Sequence, residues 1–197
     1  MPADTALHKA CNAGDLSLVQ KLVEEPEDPE EPNDVNAPGA GDRRPIHRAA
    51  GANHVDVVTF LIEKGALVDQ PDKSGRTAMH WAAISGHTQV AKALVAAGGS
   101  IFTATASGMT PLHAACEGGR AEFVEYLLKT AAEQDAAATS EQIAAGAEAG
   151  VSKICNAKDA DGKLPFDLAM AGKHKAVVTH LKGAGDPNAQ SASCVIS

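Results

Sequence analysis

The chain has 197 residues, of which 44% are apolar and only 3% aromatic, a mixture that can bury one sizeable core and suits closely packed short helices better than a sheet sandwich. A net charge of −8 works against binding nucleic-acid phosphates or an anionic bilayer by charge alone, and leaves neutral or basic partners as the expectation. No run approaches the roughly 18 consecutive apolar residues of a membrane span, and neither the start at Met1-Pro2-Ala3-Asp4 nor the four scattered cysteines point to secretion, so a cytoplasmic chain with reduced thiols is expected.

The sequence aligns with itself at a period of 33 residues. Ala6-Leu7-His8 corresponds to Pro45-Ile46-His47, Ala78-Met79-His80, Pro111-Leu112-His113 and, more weakly, Pro165-Phe166-Asp167, at spacings of 39, 33, 33 and 54. The two longer spacings predict loop insertions, and five units result. In the first, Thr5 stands at a helix N-cap and Gly14 accepts the left-handed conformation that ends a short helix. A second helix follows with Leu18-Val19 and Leu22-Val23 on one face. An acidic, proline-punctuated stretch from Glu24 to Asp34 comes next, predicted to be an extended solvated loop that is either without a role or a docking site for a basic partner.

The second unit opens at Pro45 and turns at Asn53, with Val57-Val58 and Leu61-Ile62 on its second helix. The third has Thr77 at its cap, Gly86 at its turn, then Val90-Ala91 and Leu94-Val95; the fourth has Thr110 with Pro111, Gly119, then Phe123-Val124 and Leu127-Leu128. From Lys129 to Lys153 nine of 25 residues are alanine, and Thr130-x-x-Glu133 and Thr139-x-x-Gln142 resemble capping boxes. The second helix of unit four should therefore run on, turn near Thr139 and return as a short helix to Ala149, either as padding or as a recognition element. In the fifth unit Lys173 stands where the other turns have glycine or asparagine, and Lys182 replaces the last apolar residue, as suits a terminal unit whose outer face meets water.

The run Gly108-Met109-Thr110-Pro111-Leu112-His113-Ala114-Ala115 resembles the GxTPLHxAA signature of ankyrin repeats, and Gly75 to Ala83 repeats it with Ala78 in place of proline. The resemblance covers residues 3 to 190. It implies an all-α solenoid of five helix-loop-helix units with β-hairpin fingers, over a repeat domain at 1–190. The units fall at about 3–36, 37–69, 70–102, 103–156 (with the helical insertion 129–153) and 157–189, and a flexible tail occupies 183–197. Asp42 departs from the pattern in replacing a finger glycine, and Arg44 and Leu164 in replacing the capping threonine, at about 1 kcal/mol each.

The resemblance also implies a non-catalytic protein-interaction scaffold that binds another protein on a concave face. Carrying the family's variable contact positions onto this chain selects Arg43 and Ala52, then Lys73, Ser74, Arg76, Ile84 and Ser85, then Met109 and Glu117, then Asp161 and Lys163. Trp81 lies beside them, as an interface anchor or as packing on the next helix. Seven of the eight histidines recur in register: His8, His47, His80 and His113 in the motif, and His54, His87 and His174 just after the helix-ending residue. In the family the motif histidine is a structural tie to the neighbouring unit, so no metal or cofactor is expected. Cys11 and Cys116 align with Ala50 and Ala83, small buried positions, and no nucleophile, P-loop or HExxH pattern supports an enzyme.

The last four residues, Cys194-Val195-Ile196-Ser197, match a C-a-a-X prenylation signal, with serine favouring farnesyl. One lipid chain gives only reversible attachment, and no polybasic patch lies nearby. The expected partners at the tail are a prenyltransferase and a prenyl-binding carrier. The whole is then a monomeric adaptor, cytoplasmic with reversible association to a cytoplasmic membrane face. The alternative is a soluble regulatory or inhibitory subunit, or an assembly chaperone, with an unmodified C-terminus.

Overall fold

The computed structural model describes residues 3–25, 34–136 and 150–186. The acidic segment 26–33, the expected turn near Thr139 with its helix to Ala149, and the tail with Cys194 lie outside the described residues. The chain folds as two compact units, Met1–Ala82 with His87–Ser100, and Ala83–Gly86 with Ile101–Ser197.

Among the described residues all regular structure is helical. In chain order the helices are α1 (Ala6–Ala13), α2 (Leu16–Glu24), α3 (Pro45–Gly51), α4 (Val55–Glu63), α5 (Ala78–Ser85), α6 (Thr88–Ala96), α7 (Pro111–Glu117), α8 (Ala121–Ala136), α9 (Gly150–Asn156), α10 (Pro165–Ala171) and α11 (Lys175–Gly183), with a 3-10 turn at Ala40–Asp42. None reaches the length at which an isolated helix is stable in water except α8, so tertiary packing holds them. In the first unit α1 packs on α3, and α2 and α6 both pack on α4, whose Val57, Val58 and Leu61 are wholly buried. In the second, α7 packs on α10, and α9 and α11 both pack on α8, around Phe123, Val124 and Leu127. Each such side chain contributes about 1.5–3 kcal/mol by leaving water.

The apolar pairs read from the period are the buried faces of α4, α6, α8 and α11. The first repeat departs from this, because α2 buries only Val19 and leaves Leu18 41% exposed. Helix α8 runs on through sixteen residues as expected. Helix α9 begins at Gly150, inside the expected insertion 129–153, and runs past its end to bury Ile154 and Cys155.

The expected β-hairpin fingers are turns without strands among the described residues. Each closes on two backbone bonds, one of them Gly39 N–H to Arg43 O at 2.8 Å, Asp72 to Arg76 at 2.8 Å, Thr105 to Met109 at 2.9 Å, or Asp159 to Lys163 at 3.0 Å, and the other from Asp42, Gly75, Gly108 or Gly162 N–H back to the first residue's carbonyl at 2.9–3.0 Å. Neighbouring turns join edge to edge through Lys73 N–H to Gly41 O at 3.0 Å and Ala160 N–H to Ser107 O at 2.9 Å. Both closing bonds lie within the one tight turn, so no ladder extends beyond it.

Thr110 is an N-cap as expected, its hydroxyl accepting the His113 N–H at 3.4 Å, and the threonines at the helix starts also meet an imidazole. The hydroxyls of Thr5, Thr77 and Thr110 lie 2.8, 3.0 and 2.9 Å from the Nδ1 of His8, His80 and His113, and the Thr5 side chain makes no bond to the helix N-terminus. The imidazole itself caps the turn by accepting the backbone N–H three residues before it. In the repeat without threonine His47 Nδ1 takes the Arg44 N–H at 2.8 Å, and in the last repeat Asp167 Oδ2 takes the Leu164 N–H at 2.9 Å. Arg44 and Leu164 therefore forfeit only a hydroxyl contact.

Lys173 adopts the left-handed conformation that its position demands, at φ 57°, as Asn53 does at 67° and Gly119 at 67°. A lysine there carries the cost of a crowded Cβ, about 1 kcal/mol. The exposed Lys173→Gly variant should gain that amount, read as a rise of several degrees in melting temperature; no rise would mean that the turn already relaxes this strain.

Candidate protein-binding site

Imidazole rings tie successive helix pairs together before any recognition surface is built. His8 Nε2 lies 3.0 Å from Arg43 O, His47 Nε2 2.9 Å from Gln70 O, and His113 Nε2 3.2 Å from Lys163 O. With Nδ1 accepting, Nε2 carries the proton and donates to these carbonyls, so the rings are neutral. Burial holds His47 down at about 4, and burial likewise lowers His8 and His113. These bonds fix the finger carbonyls and so the side chains beside them.

A second set of ties comes from positions that the sequence marks only as following the helix end. His54 Nε2 meets Asn12 O at 3.2 Å, His87 meets Gly51 O at 3.2 Å and His174 meets Glu117 O at 3.0 Å. Arg120 takes the same role by donating from Nε to Ile84 O at 3.0 Å. Gly14 and Gly119 are held to glycine twice over, by φ of 74° and 67° and because a Cβ would run into the rings of His54 and His174.

In the first compact unit four of the expected contact residues converge with Trp81. The Arg43 guanidinium lies over the Trp81 ring at 4.2 Å and that of Arg76 at 5.4 Å, both within cation–π range. Asp72 organises the group from beneath, with its side chain 3% exposed. Its Oδ1 accepts the N–H of Ser74 at 2.8 Å and of Arg76 at 3.0 Å. Its Oδ2 accepts the indole N–H at 3.2 Å and faces Arg43 Nε at 3.8 Å. Lys73 and Ser74 are exposed at the tip of the same turn. Trp81 is half-buried, and its ring sits against Gly51 of the preceding helix α3.

Asp72 is not among the residues that the family pattern selects. Its signal is present in the sequence all the same, since Asp72, Thr105 and Asp159 each stand three residues before a finger glycine, and each side chain holds its turn.

The expected contact residues of the second compact unit form no such cluster. Lys163 Nζ pairs with Asp161 Oδ2 at 3.6 Å in a largely exposed ion pair, which contributes little. Met109 is half-buried with its N–H on Thr105 Oγ1 at 3.1 Å. Ile84 and Glu117 serve through their carbonyls, as acceptors of Arg120 and His174, while their side chains are half-buried and exposed.

Among the described residues no group of three or more His, Cys, Asp or Glu is placed to hold a metal ion. Among them also, no helix is long and apolar enough to cross a membrane. Cys11, Cys116 and Cys155 are free and buried, and burial pushes the thiols of Cys11 and Cys155 up to about 12 and that of Cys116 well up, which suppresses the reactive thiolate.

Helix pairs that recur in register, tie to one another through imidazoles and present side chains from turns define a repeat protein built to offer a surface. The chain belongs to the ankyrin-repeat family: the family model for ankyrin repeats (three copies) matches residues 7–105 and again 46–138. Ankyrin repeats bind other proteins, and they are typically interaction modules without catalytic activity.

Proposed function

We propose that this chain is a monomeric, non-catalytic adaptor of five helix-loop-helix units that holds another protein through its fingers and first helices. The observation that carries the reading is the cluster of Arg43, Arg76 and Trp81 around Asp72, where two guanidiniums are stacked on one indole at 4.2 and 5.4 Å. Tryptophan and arginine are the side chains most often found to dominate protein interfaces, and here the contact with the ring limits the rotamers that binding would otherwise have to freeze. The remaining contact positions, Lys73, Ser74, Ile84, Met109, Glu117, Asp161 and Lys163, complete the proposed surface. The limits of the five units and the hairpin character of the fingers belong to the same proposal and rest on the period of the sequence.

The test is a photo-crosslinking residue placed at Ser74 in cells, with a second at the exposed Lys175 as comparison. A single protein captured from Ser74 and not from Lys175 is the expected result. The same capture from both positions would sink the assignment.

The lipid part of the proposal rests on Cys194-Val195-Ile196-Ser197 alone. A prenyltransferase would join Cys194 Sγ to C1 of farnesyl diphosphate, the thiol losing its proton and the lipid its diphosphate. A prenyl-binding carrier would then shield the chain between cytosol and a cytoplasmic membrane face. Because one chain binds reversibly, the parent should appear in both soluble and membrane fractions and Cys194→Ser in the soluble one only. An unmodified Cys194 by intact mass, with identical distributions for both proteins, would leave the soluble regulatory subunit or assembly chaperone as the better reading.

A further inference from the structure

The geometry points to an acidic peptide segment, one presenting aspartate or glutamate carboxylates, as the chemistry taken by the Arg43–Trp81–Arg76 cluster. The inference deepens the reading of that cluster as a protein-binding site and rests on it.

The site reverses the charge of the chain. The whole sequence has 25 acidic and 17 basic residues, yet within the turns at 39–44 and 72–76 Arg43, Arg44, Lys73 and Arg76 outnumber Asp42 and Asp72. The Asp72 carboxylate is turned inward onto two backbone N–H groups and the indole N–H, so little of its charge is presented outward. Elsewhere Arg48 pairs with Asp4 at 2.7 Å, Lys64 with Glu24 at 2.7 Å and Lys163 with Asp161 at 3.6 Å.

The shape of the cations favours carboxylates. A guanidinium offers parallel N–H donors that fit a carboxylate two at a time, and one held over an indole face keeps its edges available for that. Exposed Lys73 adds a point charge at the turn. At physiological salt, fields fade over about 8 Å, so a short acidic segment seated on the cluster responds chiefly to the charges beside it. The net charge of −8 works against a nucleic-acid strand long enough to bind tightly.

Trp81 is the only tryptophan in the sequence, so its indole N–H resonance reports this site alone. The full chain is titrated with a Glu-Ser decapeptide, matched Gln-Ser and Lys-Ser decapeptides, and a short oligothymidine. The Glu-Ser peptide should shift the indole resonance saturably. Its binding should weaken about tenfold in R43Q/R76Q, and about as much on raising salt from about 50 to 300 mM, as for contacts made through ions. The Gln-Ser and Lys-Ser peptides should shift nothing.

Equal shifts from Gln-Ser and Glu-Ser, or tighter binding of oligothymidine, would overturn the inference. A shift caused only by the Lys-Ser peptide would overturn it while leaving the protein-binding reading intact. No shift with any peptide, together with equal capture from Ser74 and Lys175 in cells, would overturn both. Should R43Q/R76Q fail to fold, the salt dependence and the Gln-Ser comparison decide the matter on the parent chain.

Discussion

Replacing Leu94 by alanine should lower the unfolding free energy by about 2 to 5 kcal/mol, while Leu18→Ala should cost no more than about 1. Leu94 is 1% exposed on α6, on the face shared with Val90 and Ala91 that packs against α4. Deleting its methyl groups removes transfer free energy and leaves a hole that the flanking helices, each only nine residues long, fill in part. Leu18 sits on α2 with 41% of its surface in water, so the same chemical deletion leaves no cavity. In a repeat protein the stability of each helix pair depends on its neighbour, so the Leu94 loss should lower the midpoint of the whole urea transition or split it. Similar costs for both variants would mean that the α4–α6 contact is not where the first compact unit stores its stability.

The period makes the helices legible because a buried face must recur wherever the same packing recurs. Val57-Val58 and Leu61, Val90-Ala91 and Leu94, Phe123-Val124 and Leu127 are readable as pairs for that reason, and all are buried. What the period does not repeat is harder to read. Helix α9 has no counterpart in other repeats, and its burial of Ile154 and Cys155 follows from contact with α8, which no local pattern encodes. The threonine hydroxyls are legible as N-caps, and Thr110 is one, but their contact with an imidazole three residues on is not read from capping alone.

The cluster proposed for binding is half legible. Arg43 and Arg76 stand at equivalent positions one period apart, yet nothing in a period says that both meet one indole, or that Trp81 turns back onto Gly51. Asp72 escapes notice because an aspartate before a finger glycine reads as turn chemistry alone, and its second oxygen is what links turn to ring. The tie made by Arg120 is hidden by residue identity, since the other repeats use histidine there.

Acid should destabilise the protein between about pH 6.5 and pH 4, beginning well above the range in which ordinary carboxylates titrate. His47 is 2% exposed, and burial holds its imidazole at about 4 against an ordinary value of 6.5. Above 6.5 the ring is neutral in both the folded and the unfolded chain, and stability does not depend on its titration. As pH falls below 6.5 the unfolded chain takes up a proton that the native ring refuses, so stability is lost steadily until the folded value near 4 is passed. For His47 alone the loss over that window is about 3 kcal/mol. His8 and His113, lowered in the same direction by burial, add to it.

The structural cause is specific. Protonation of Nδ1 removes the lone pair that accepts the Arg44 N–H at 2.8 Å, and turns a helix-start bond into two donors facing each other. The check is urea denaturation at pH 7, 5.5 and 4, on the parent and on His47→Gln, whose amide can accept and donate but cannot titrate. The variant should be less stable at pH 7 and lose less on acidification. A parent whose unfolding free energy is level across that range would mean that the native chain accommodates imidazolium at these positions, and the neutral-ring account of the ties would fall.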